Sequence, residues 1–346
     1  MCPCAPDSLP ALCSEHVYRF ACSPTRRGYR RAWGLLWLLG LAAWLWATSA
    51  GAQTPSTPPA QAPRAIWMWE ADSYAMLQKP QVAQAHIRFL KAKGVRTLYL
   101  YADAFEGHNL LLAQPQLYAT LIAQLHAADM QVYALLGSWH LHTQRYVLPA
   151  YRSEALAMFQ RVLDYNAKAS EAARFDGVNL DIEPHILDEW DTQRTDLLTR
   201  FIDLSHAFMA LKRRANATLQ VGPAIPFWWD GLTVTWGGVH KPTSEHVQDI
   251  YDYVALMDYR DRAEGPDGIL SHASDELAYA KKVGKTVWIG IETSPNEIRK
   301  VSFDHLREPD MERELGKVQR ALAGDTRFGG FVLHHFGSYQ KWLQKK

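Results

Sequence analysis

Eight short apolar runs, each followed by a stretch of helical periodicity, leave this chain few ways to fold. The runs are residues 65–70, 95–102, 131–137, 175–183, 218–225, 253–259, 286–292 and 330–335. Between them, residues 81–93, 116–128, 153–170, 192–216, 243–251, 271–283 and 310–322 read as helices, and a last short one lies near 339–344. Glycine follows helical patterns at Lys93-Gly94 and Val283-Gly284, and Gly329-Gly330 precedes the last run. Glycine suits a helix end where the chain must turn with positive φ. Strands alternating with helices at this spacing pair in parallel through right-handed crossovers. We therefore expect an α/β fold, a closed (β/α)8 barrel of the TIM type. The other arrangement open to the pattern is a doubly wound sheet. Eight strands with their helices occupy roughly the ~250 residues such a barrel needs.

The N-terminal segment reads differently. Arg26, Arg27, Arg30 and Arg31 precede the apolar run AWGLLWLLGLAAWLWA at 32–47. Small residues follow, with Ala50 and Ala52 in an A-x-A arrangement. Basic, apolar and small in that order describe a secretory signal peptide. The run is shorter than the ~20 residues of a membrane span. We expect residues 1–52 to be a leader, 53–64 (QTPSTPPAQAPR) a Pro-rich linker, and 65–346 a single domain. The protein is then exported to a periplasm or beyond the cell, with no stable membrane insertion after processing. Cys2, Cys4, Cys13 and Cys22 all fall in the leader, so the domain has no cysteine for a disulfide or a metal. A formal charge of +1 gives no electrostatic ground for nucleic-acid binding.

In such barrels chemistry gathers where strands end, and the fourth run is the one to read closely. From Val178 on it alternates, so Val178, Leu180 and Ile182 face one side and Asn179, Asp181 and Glu183 the barrel axis. Three inward polar side chains cost solvation that packing does not return. Asp181 and Glu183 have backbones ~6–7 Å apart. Two like charges so close, partly buried, leave one carboxyl protonated near neutrality. A carboxylic acid of that kind is what a glycosidic leaving group requires.

The stretch Phe175-Asp176-Gly177-Val178-Asn179-Leu180-Asp181-Ile182-Glu183 resembles the active-site signature of glycoside hydrolase family 18, the chitinase-like barrels. The resemblance implies that Glu183 is the general acid/base and that Asp181 orients a substrate 2-acetamido group acting as internal nucleophile. Met257-Asp258-Tyr259-Arg260 is similar to the family's Met-x-Tyr-Asp segment, which implies that the Tyr259 hydroxyl meets the acetamido carbonyl. Arg260 stands where the family has Asp, and His334 stands where a tryptophan usually floors the sugar site. Chitin is thus one candidate substrate among others.

The chain has 13 Trp and 15 Tyr. Indole and phenol stack on the apolar face of sugars. Trp67, Trp69, Tyr101, Trp139, Phe227, Trp228 and Trp229 fall near strand ends, with Trp228 or Trp229 the best sugar platform. We count Asn179, Met257, Asp258, Arg260, Trp139, Trp228, Trp229, Glu292 and His334 as substrate-binding candidates. Asp103 either meets sugar hydroxyls or steadies a rim loop. The expected partner is an oligo- or polysaccharide, with no cofactor and no metal.

Three other readings stay open. Glu292 ends the seventh run, so Glu183 and Glu292 fit a retaining pair of acid/base and nucleophile. His140-x-His142 with His185, His334 and His335 fits a metal-dependent hydrolase. A non-catalytic, glycan-binding barrel is the third. Oligomeric state is not legible.

Overall fold

Residues along a strand alternate between two faces, and the eight apolar runs use both. The computed structural model describes residues 61–215 and 217–345. The expected leader, most of the linker and the four cysteines lie outside the described residues. Eight strands close a parallel barrel: β1 (Arg64–Met68), β2 (Val95–Tyr101), β3 (Gln131–Leu136), β4 (Gly177–Leu180), β5 (Gln220–Pro226), β8 (Tyr253–Met257), β9 (Thr286–Glu292) and β10 (Phe328–His334). The remaining two, β6 (Thr233–Trp236) and β7 (Val239–Pro242), form an antiparallel hairpin inserted after β5. β1 pairs with β2 on one side and with β10 on the other, so no sheet edge is left open.

Two cores result. Outward side chains, Val178, Leu180 and Ile182 among them, pack against the surrounding helices. Inward ones form a smaller cluster with Ala65, Trp67, Tyr99, Leu135, Tyr253, Ala255 and Val332. This inner layer is aromatic. Tyr99 stands 5.6 Å from Tyr133 and Tyr133 5.7 Å from Tyr253, ring centre to centre. Asn179 sits in it, fully buried, and accepts a 2.8 Å hydrogen bond from the Trp67 indole. Its amide nitrogen donates to the Tyr253 hydroxyl at 3.3 Å. Those partners offset the desolvation that an unpaired buried amide would suffer.

The expected helices are present with ends shifted by a few residues, for example Pro80–Ala92, Pro115–His126, Arg152–Lys168 and Trp190–Arg214. Gly94 and Gly284 take positive φ at their junctions. Two helices went unread, the single turn Leu110–Ala113 and a longer one. Glu70–Gln78 follows β1 directly, whereas Glu70 was expected to end the strand. Its buried face includes Glu70, Ser73 and Tyr74, so apolar periodicity does not mark it. The stretch after β5 begins with Phe227 and Trp228 at the barrel mouth and then turns through Gly237 and Gly238, both at positive φ, as a hairpin. Trp236 of that hairpin stacks on His206 at 4.2 Å, against the long helix and away from the barrel mouth. No helix among the described residues is long and apolar enough to cross a membrane.

Candidate active site

Pro184 lacks an N–H and cannot extend a strand ladder. The backbone therefore leaves β4 as it delivers two carboxylates to the mouth of the barrel. Asp181 still pairs, its N–H donating to the Leu136 carbonyl at 2.7 Å. Glu183 is followed by the turn Pro184–Ile186. Both side chains line a cavity of about 460 Å³ at the C-terminal ends of the strands. Trp67, Met257, Tyr259 and His334 form its inner part. Trp69, Trp139, Phe227 and Trp228 form aromatic walls, and Trp139 is half exposed at the rim. Gly290 makes room here. A Cβ on it would lie 3.3 Å from both Trp67 and Tyr259 and 2.7 Å from the Leu256 carbonyl.

The carboxylates are unequal. Burial, then the charge of Glu183, holds Asp181 well above the usual carboxylate range, with Glu70 adding to the effect and His334 opposing it. Burial also works against the Glu183 anion, but His185 and His334 outweigh it and leave Glu183 below its ordinary value. Two neighbouring carboxyls thus hold one proton, and in the open pocket it rests on Asp181. His185 Nε2 lies 3.4 Å from Glu183. Its ring is buried among Trp190, Trp228 and Trp229, the nearest centroid 5.4 Å away.

Glu292 is more tightly tied. One oxygen accepts the backbone N–H groups of Thr293 and Ser294 at 2.7 and 2.6 Å. The other meets Nδ1 of His334 at 2.7 Å. Burial raises Glu292, yet His334 and Ser294 bring it below its ordinary value. Burial lowers His334, but the charge of Glu292 outweighs it and the histidine ends raised. Glu292→Gln is therefore expected to lower the His334 pKa, read directly from an NMR pH titration of its ring protons. An unchanged titration would mean that Glu292 does not govern the ring.

The structure does not bring every candidate to the cavity. Asn179 lies beneath the floor, bonded to Trp67. Asp258 is fully buried against His272 Nδ1 at 3.2 Å, and burial pushes its carboxyl up to about 6. Arg260 is buried too, paired with Asp267 at 2.7 Å and lying over the Phe227 ring. His272 stacks flat on Phe227 at 4.0 Å, so this cluster props up a wall of the pocket instead of facing sugar. Trp229 is wholly buried behind His185. Tyr101 is buried and donates its hydroxyl to the Ala104 carbonyl. Asp103 bonds Arg161, Asn109 and the Ala104 amide, which steadies the loop after β2. Met257, Tyr259, Trp139, Trp228, Glu292 and His334 do line the cavity with Asp181 and Glu183.

Sequence reasoning missed Glu70, which opens its helix, lines the cavity and accepts from the Ser138 hydroxyl at 2.5 Å. It also missed His185 as the neighbour of Glu183, reading it only as a possible ligand. The histidines do not converge: among the described residues no three His, Cys, Asp or Glu side chains are placed to hold a metal ion. His140 and His142 are exposed on the loop after β3.

Neither a protein-family model nor a curated protein sequence matches the chain. Solved structures do. A chitinase from Chromobacterium violaceum is 13% identical over 82% of this chain and 98% of its own, with a TM-score of 0.44. A glycoside hydrolase family 18 chitinase from Cycas revoluta, in complex with (GlcNAc)3, is 13% identical over 81% and 97%, at 0.47. A family 18 N-acetylglucosaminidase from Paenibacillus barengoltzii is 13% identical over 82% and 98%, at 0.45.

Proposed function

We propose that the protein hydrolyses glycosidic bonds in a 2-acetamido glycan, with Glu183 as general acid/base and Asp181 assisting. The observation that carries this reading is the pair of neighbouring carboxyls, Asp181 and Glu183, on the floor of an aromatic-walled cavity. A sugar seated there removes water from Glu183, and desolvation favours the neutral acid. The shared proton then moves from Asp181 to Glu183, where it serves the leaving oxygen. Asp181, now ionised, accepts from the acetamido N–H and steers its carbonyl oxygen towards the anomeric carbon. Tyr259, which lines the same cavity, offers a hydroxyl to hold that carbonyl. Trp139 and Trp228 offer stacking faces for flanking sugars.

Glu292 fits the nucleophile of a retaining pair poorly. Three hydrogen bonds occupy its oxygens, so attack would break contacts that keep it ionised and still. Its role here is to orient His334. The leader and linker read from the sequence favour action outside the cytoplasm.

The test is hydrolysis of 4-methylumbelliferyl glycosides and reduced oligosaccharides with and without 2-acetamido groups. Turnover confined to the acetamido substrates is expected. Equal turnover of sugars lacking that group would remove the internal nucleophile from the mechanism. Tight glycan binding by calorimetry with no turnover on any substrate would make the barrel a binding protein.

A further inference from the structure

The cavity lining has a one-sided charge that the reaction alone does not need. Glu70, Asp181, Glu183 and Glu292 line it, and among the described residues neither lysine nor arginine does. Its basic groups are histidines: Glu292 raises His334 and so offsets its own charge, while burial and the charge of His334 press His335 down to about 4. Asp181, Glu183 and Glu292 have stated work, whereas Glu70 acts on the reaction only through its charge on Asp181. Glu70 is nine-tenths buried, with one oxygen on the Ser138 hydroxyl and the other, among the described residues, without a hydrogen-bond partner on the cavity side. Beside it, Gln144 is as deeply buried, lines the same cavity, and makes no hydrogen bond to another side chain or backbone among the described residues. The two are linked, because the Thr143 hydroxyl that precedes Gln144 accepts the Ser138 backbone N–H at 2.8 Å. The residues are buried, but these polar atoms open onto the cavity, where a ligand that displaces the water there must supply hydrogen bonds of its own.

We propose that this wall is a subsite for a protonated amino sugar, so that the preferred substrate is a partially N-deacetylated 2-amino-2-deoxyglycan. The sugar that is cleaved keeps its acetamido group, and a neighbouring sugar presents a free ammonium to Glu70 and hydroxyls to Gln144. An ammonium matches the free Glu70 oxygen as a charge-assisted donor. Trp67 and Trp69, which line the same cavity, add aromatic faces that favour a cation. The net negative lining raises the local concentration of cationic oligomers and repels uronic or sulfated ones. This inference rests on the glycosidase reading for its rates but not for its binding.

The experiment compares fully N-acetylated β-1,4-glucosamine hexasaccharides with the same oligomers partially deacetylated, on wild type and Glu70→Gln. Wild type is expected to show kcat/KM for the amine-bearing oligomers roughly ten- to a hundred-fold higher, the range of a charge-assisted hydrogen bond. That advantage, read as the ratio of the two rates so that any effect of Glu70 on Asp181 cancels, should shrink as ionic strength rises and vanish in Glu70→Gln. The salt titration uses wild type alone, so it stands even if the variant folds poorly. A preference for fully acetylated oligomers, or an equal loss on both in Glu70→Gln, would overturn the proposal. Should wild type turn over neither, the glycosidase reading fails while calorimetric binding of the two oligomers still decides this one: tighter, salt-sensitive binding of the amine-bearing oligomer upholds it, and equal affinity rejects it.

Discussion

Glu183→Gln is expected to cut turnover of an N-acetylated oligosaccharide by about 10²–10⁴-fold, the usual contribution of a positioned acid/base. Binding should stay within a few-fold, because the amide keeps the shape of the side chain and loses only its proton chemistry. The fall should appear in kcat, since the interaction is made in the transition state. A thermal melt matching wild type separates lost chemistry from lost fold. Retention of more than a tenth of the wild-type rate would remove Glu183 from the reaction.

The companion variant is Asp181→Asn, and its signature is a displaced pH profile. In wild type, burial and the charge of Glu183 hold the Asp181 proton above the ordinary carboxylate range. The pair therefore keeps a proton to donate as pH rises past the point where a free carboxyl has lost its own. Without Asp181, Glu183 stands alone with a value lowered by His185 and His334, and it is ionised at neutrality. The alkaline limb of kcat/KM must then move to lower pH. An unmoved limb would show that the proton used in catalysis was never shared.

How much of this was legible in the sequence depends on which signal each element gives. Strand periodicity placed all eight barrel strands, because parallel strands buried on both faces are apolar throughout. It also gave the inward set Asn179, Asp181 and Glu183, since alternation fixes facing once one residue is fixed. The same logic failed at Glu70. That residue ends an apolar run, so it reads as a strand end, while its helix carries Ser73 and Glu70 on the buried side. Local motifs were also blind to what lies behind a wall. Asp258 and Arg260 sit beside Tyr259 in sequence, yet the chain turns them into a buried cluster with His272 and Asp267 that supports Phe227. Trp228 and Trp229 differ for the same reason: adjacent residues in a tight turn point apart, one to the cavity and one to the core. The Glu292–His334 contact joins residues 42 apart in sequence and depends on β9 pairing with β10.

Gly137→Ala is expected to be the most damaging small substitution near the site. Gly137 follows β3 with φ of +130°, a region that L-residues rarely adopt. A Cβ there would lie 2.0 Å from the carbonyl oxygen of Asp181 and 2.7 Å from its carbon, so the obstacle is backbone. That backbone cannot yield freely, since the neighbouring Leu136 carbonyl accepts the Asp181 N–H at 2.7 Å. Strain and overpacking each cost about 1–3 kcal/mol. Together they come to roughly 2–6 kcal/mol, a melting-temperature drop on the order of 5–15 °C for a domain of this size. Gly107→Ala is the control. Its φ is +76°, but nothing lies within 4 Å of the added carbon, so only the conformational cost of about 1 kcal/mol remains. Whatever Gly137→Ala protein stays folded must push Asp181 out of register with Glu183, so turnover should fall more steeply than the folded fraction measured by circular dichroism. A variant that melts with the Gly107→Ala control and keeps its rate would mean that β3 and β4 do not approach as closely as this site requires.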